Sequence, residues 1–203
     1  VGLELRHLPL LGHRSANQLS LDRAALIERI GRHLAASQHV SRIDDRSKEP
    51  TGESLAADRL AWADLAVIDL LLSLMKDRVL IADWFTQADA DCLDQSSELG
   101  GVLRHDGHRF TAEPFPPLFR AHDRKFYSSP SLIEAMYTAV AHYHFHAQHH
   151  SNARFAGPGK GDRAFADRLR PTALVLTFID RDTLNVDYYQ AGGVVVDLGM
   201  IHR

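Results

Sequence analysis

Apolar and polar positions change rhythm along this chain, from the spacing of helices to the alternation of strands. Leu26, Ile27, Ile30 and Leu34 fall on one face of a helix, with Ser20 as the expected N-cap and Asp22 in its first turn. Residues 37–53 are polar, carry Pro50 and Gly52, and read as an exposed loop. A second, strongly apolar helix is expected from about 54 to 76, through Leu60, Trp62, Leu65, Ile68, Leu71 and Met75. Asp58, Asp64 and Asp69 interrupt it, which makes it a core or partner-binding helix rather than a membrane span. Val79-Leu80-Ile81 reads as a short strand or a helix end, and 83–95 as an acidic, solvated stretch without the offsets of an EF-hand loop.

The second half has the rhythm of a sheet. A strand after Gly100-Gly101 is expected to turn at His105-Asp106-Gly107-His108 and return through Arg109 to Ala112, with Pro114, Pro116 and Pro117 marking a loop. Ser129-Pro130 opens a short helix. Met136 to Ala141 leads apolar into the strand His142-Tyr143-His144-Phe145-His146. A glycine-rich turn, 157–162, precedes a short helix at 163–169 opened by Asp162. Lys160 is followed by Gly161, so the turn is no P-loop. Strands are then expected at 173–179, 184–189 and 194–198. The division is a helical region over 1–75 and a sheet-bearing domain over 76–203.

Composition narrows the function classes. A length of 203 residues, 45% hydrophobic and 24% charged, is ordinary for one globular domain with a helical appendage. A net charge of −3 carries no basic footprint for nucleic acid. The single Cys92 rules out an internal disulfide framework and a cysteine-rich zinc site. No membrane span or signal peptide is expected, and the expected location is the cytoplasm.

Five of the thirteen histidines lie between His142 and His150, which makes this stretch the first candidate for chemistry. In a strand, side chains at i and i+2 share a face. His142, His144 and His146 then point one way, Tyr143 and Phe145 the other. Two imidazoles so spaced grip one divalent ion, and imidazole suits zinc. The pair is either His142 with His144 or His144 with His146. A zinc hydrolase also needs a third protein ligand and a base, and Asp162 and Glu98 are the carboxylates on offer.

With these residues the chain resembles the JAMM (JAB/MPN) metalloprotease family. Glu98-Leu99-Gly100-Gly101-Val102-Leu103 matches the ExxGxL pattern of that family. His144-Phe145-His146, preceded by Tyr143, matches its HxH, and Gly159-Lys160-Gly161-Asp162 stands where SxxD is found. The resemblance covers roughly residues 75–203. It implies an α+β, three-layer fold of JAB/MPN type, a mixed and mainly antiparallel sheet flanked by helices, here with an N-terminal helical extension. It further implies Zn2+ held by His144, His146 and Asp162, Glu98 as general acid and base, and cleavage of an amide at the tail of a ubiquitin-like or similar protein. Three positions depart from the pattern. Gly159 replaces the serine that holds the oxyanion, leaving Ser151 or a backbone N–H of the Gly159 turn as substitutes. Ala147 replaces the proline after HxH. The longer connection to Asp162 leaves room for His149 or His150 as third ligand. A non-catalytic scaffold that binds a protein partner is the alternative expectation, and a zinc hydrolase of small molecules a weaker one.

Overall fold

The computed structural model describes residues 3–13, 19–40, 57–105, 108–122 and 125–203. Among them are six α-helices: α1 (Leu8–His13), α2 (Arg23–Ala36), α3 (Trp62–Leu74), α4 (Arg78–Leu93), α5 (Pro130–Met136) and α6 (Lys160–Leu169). Six strands, β1 (Gly100–His105), β2 (Phe110–Phe115), β3 (Ala141–His146), β4 (Ala173–Asp180), β5 (Thr183–Gln190) and β6 (Val194–His202), form one sheet in the order β2-β1-β3-β4-β5-β6. Every neighbouring pair is antiparallel except β3 with β4. That parallel pair needs a crossover, and residues 147–172, with α6 inside them, supply it. The α+β class expected from the sequence is the observed one.

Strand alternation places the sheet between two helical layers. Tyr143, Phe145, Leu174, Leu176, Phe178, Val186 and Tyr188 share one buried core with Leu26, Ile30, Leu65, Ile68, Trp84 and Phe85 of α2, α3 and α4. On the opposite face Val102 packs with Leu132 and Met136 of α5, and Ala173, Val175 and Tyr189 pack with Ala166 of α6. Among the described residues no helix is long and apolar enough to cross a membrane.

Several element bounds differ from the sequence expectation. Asp22, not Ser20, caps α2: its carboxylate accepts the Ala25 N–H at 2.8 Å. The second helix spans Trp62–Leu74, and the part of its expected range before 57 lies outside the described residues. Val79-Leu80-Ile81 is neither strand nor helix end but the first turn of α4, because the Asp77 carboxylate accepts the N–H groups of Val79 and Leu80. The acidic stretch after it is helical, and Leu80, Ile81, Trp84, Phe85 and Ala88 form its buried stripe. Asp91 in this stretch is not solvated but fully buried, and it accepts the Leu99 N–H. β2 continues through Pro114, where a loop is expected; it is an edge strand, so an imide without an N–H breaks no inner ladder. The apolar run before β3 is the end of α5 followed by turn residues 137–140. The Asp106-Gly107 turn lies outside the described residues, while its flanks pair as His105 opposite Phe110.

Candidate metal centre

Glu98 sits two residues before β1, and its place is set by the backbone of Leu99. Asp91 of α4 takes the Leu99 N–H, and the Leu99 carbonyl accepts the Phe145 N–H of β3 at 3.0 Å. The next residue, Gly100, lies opposite His144 in the β1–β3 register. A Cβ at Gly100 would stand 2.5 Å from the Tyr143 carbonyl oxygen and 3.0 Å from the His144 Cβ. Glycine here is the condition for β1 to approach β3 this closely, and so for Glu98 to lie beside the histidines.

The three strand histidines point to the α5 and α6 face, as alternation predicts, but take different roles. His142 is fully buried, its Nδ1 is bound to the Gly101 carbonyl at 3.1 Å, and its ring stacks on those of Phe126 and His144. Burial, with the charge of His144 beside it, pushes the His142 imidazole down to about 3, so this ring is neutral. The His144 Nε2 is buried and has no hydrogen-bond partner, and Asp162 Oδ1 lies 3.4 Å away. His146 gives its Nδ1 side to the Phe155 carbonyl at 2.8 Å, which turns Nε2 toward Asp162 Oδ2 at 3.6 Å. A carbonyl on the far nitrogen is the usual way to hold a ligand imidazole in orientation.

Asp162 reaches the same place from α6. The sequence expectation makes Asp162 the opening residue of a helix at 163–169. The helix begins at Lys160, Gly159 is its N-cap, and Asp162 is its third residue. From there Oδ2 reaches back to the Gly159 N–H at 2.7 Å, half of a capping box, and Oδ1 faces His144.

Ligand atoms of Glu98, His144 and His146 all lie within 4.8 Å of one another, a buried cluster able to hold a metal ion. With Asp162 against both imidazoles, the four side chains singled out in the sequence converge from three separated segments. Their charges are strongly coupled. Burial pushes the Glu98 carboxyl up, only partly offset by His144 and His146. Burial would raise Asp162 too, but the two histidines hold it well below the usual carboxylate range. Burial would lower His146, yet the adjacent Asp162 carboxylate and the charge of Glu98 carry it up to about 9. The ligand group itself is Glu98, His144 and His146; Asp162 stands outside it, 3.4 Å and 3.6 Å from the two imidazoles, and the orphaned buried Nε2 of His144 is a nitrogen that a divalent cation would satisfy.

Three residues around the cluster have no signal in the sequence. Gln148 donates from Nε2 to Glu98 Oε1 at 2.9 Å. Asn152 in turn donates to Gln148 Oε1 at 2.6 Å and to the His146 carbonyl at 3.0 Å. Tyr189, buried on β5, meets the His144 ring edge-on with centroids 6.2 Å apart. Burial, with the charges of Asp162 and Glu98, pushes its phenol well above the usual range, so it stays a neutral O–H donor.

The other candidates lie elsewhere. His150 has its Nε2 3.6 Å from Asp89 and its ring edge-on to Phe178, away from the cluster. His149 lines the cavity but is outside the ligand group. Ser151 is exposed and does not line the cavity. Gly159 lines it, with its N–H committed to Asp162. The cavity above the cluster has a volume of about 1230 Å³. No protein-family model matches the chain, and neither does any curated protein or solved structure.

Proposed function

We propose that the chain is a zinc-dependent peptidase or isopeptidase of JAMM type, cleaving an amide bond at the tail of a ubiquitin-like or similar protein. The observation that carries this reading is the convergence of Glu98, His144, His146 and Asp162 under one cavity. His144, His146 and Asp162 would hold the zinc, and Glu98 would serve as base. Zinc in such a site supplies a polarised carbonyl and a bound water whose pKa is lowered to about 7. Glu98 takes the proton of the attacking water and delivers it to the leaving amine. Gln148, itself fixed by Asn152, holds one Glu98 oxygen, while the other, Oε2, has no hydrogen-bond partner among the described residues. The volume of 1230 Å³ exceeds the roughly 300–1,000 Å³ of small-ligand pockets and favours a chain segment as substrate.

The test is metal analysis of the purified protein, with about one equivalent of zinc expected and most of it lost in His144→Ala and Asp162→Ala. Unchanged metal in both variants rejects the ligand assignment. A protein that takes up no metal favours the scaffold reading, which the glycine at 159 supports.

Charge developing on the carbonyl oxygen needs a donor that Gly159 no longer carries as a side chain. The neutral Tyr189 phenol on the cavity wall is the candidate. Tyr189→Phe is expected to lower kcat by about 10²–10³, the cost of one lost oxyanion donor, with KM and zinc content unchanged. Steady-state rates on one peptide substrate check this, and an unaltered kcat rejects the role.

A further inference from the structure

Resting on the hydrolase reading, we propose that the mouth of this cavity selects an acidic peptide segment. The side chains lining the cavity include four fixed cations, Lys125, Arg154, Lys160 and Arg168, all exposed. They come from three places around the opening: the segment before α5, the 3-10 turn Ala153–Phe155, and α6. None of the four makes an ion pair among the described residues. Among the described residues the carboxylates on the same wall are Glu98, in the ligand cluster, and Asp162, which faces His144 and His146. The whole chain carries a net charge of −3, so this basic rim is a local segregation of charge and not a general property of the surface. A divalent ion held by the cluster would add to it in sign.

The rim also presents flat apolar surface. The Arg154 guanidinium lies 4.6 Å over the Phe155 ring, and Phe126, Tyr127 and Phe165 line the same cavity. A wall that carries both cations and aromatic rings fits a peptide with both acidic and apolar side chains. A basic tail would meet repulsion at all four positions. A nucleic acid strand shares the negative charge but has no amide for the cluster to cleave, so a peptide is the favoured occupant.

The experiment uses the zinc-loaded Glu98→Gln variant of this 203-residue chain and three fluorescein-labelled probes of equal length. These are a peptide rich in Asp and Glu, its counterpart rich in Lys and Arg, and an oligothymidylate. By fluorescence anisotropy the acidic peptide is expected to bind at least about tenfold more tightly than the basic one at low salt, and the gap to close at high salt. Lys160→Glu with Arg168→Glu is expected to reverse the order at unchanged zinc content. Equal affinities, preference for the basic peptide, no binding of either, or tighter binding of the oligothymidylate would each overturn the proposal. Wild-type cleavage of the same peptides separates the two readings. Binding of the acidic peptide without cleavage of any sinks the hydrolase and leaves the acidic preference standing. Cleavage without charge preference does the reverse.

Discussion

Glu98→Gln is expected to lower the rate of amide hydrolysis by about two to four orders of magnitude while zinc stays bound, the usual contribution of a positioned general base. Gln has the shape of Glu and can still accept the Gln148 N–H that now reaches Oε1 at 2.9 Å. It cannot take a proton from water. Because Glu98 is 5% exposed and its carboxyl is pushed up by burial, the neutral amide also removes the cost of a buried charge. The variant should therefore fold at least as well as the wild type. Single-turnover rates and metal mass measured on one preparation distinguish the outcomes. A retained rate removes Glu98 from the chemistry, and a lost metal moves it into the ligand set.

The largest stability effect is expected at Asp64. This carboxylate is 3% exposed and lies 2.8 Å from Arg6 Nη2, 2.8 Å from His7 Nε2 and 2.9 Å from the Ala61 N–H. It ties the segment before α1 to the start of α3. Asp64→Ala takes the shared carboxylate from the buried Arg6 and His7, and since Arg6 keeps Glu4 and Gln190 the cost is expected at the low end for a broken buried pair, about 3 kcal/mol. The urea midpoint should fall at an unchanged m-value. The pH dependence has a definite sign. Burial would raise the Asp64 carboxyl, but the His7 hydrogen bond and the Arg6 charge bring it below its ordinary value of 3.8. A depressed carboxylate contributes stability that is present above the unfolded pKa and is lost as pH falls toward the folded one. Below about pH 4 the wild type should thus lose stability more steeply than Asp64→Ala. Parallel curves would show that the pair carries no linkage.

The α+β architecture was legible because strand alternation and helical spacing each leave a period in the apolar positions. The shared face of His142, His144 and His146 was legible for the same reason. Their division of labour was not: His142 is removed from the cluster by the Gly101 carbonyl, a backbone atom 41 positions away in sequence. Helix α4 was hard to read because its acidic residues split the apolar stripe into fragments, one of them Val79-Leu80-Ile81 with two β-branched residues. The buried role of Asp91 depends on the Leu99 N–H eight residues on, which no local pattern announces. Gln148 and Asn152 are equally silent, since a polar residue in a turn is unremarkable until the backbone brings it to a carboxylate.

Strand β3 is shared between two masters. Tyr143 and Phe145 belong to the core built on the N-terminal helices, and His144 and His146 to the candidate ligand cluster on the reverse side. Adding or deleting one residue inside this strand would exchange the two sets, pressing imidazoles into the apolar core and aromatic rings against Glu98 and Asp162. The segment therefore has a fixed reading frame in space, and the protein can only gain or lose length there outside Ala141–His146.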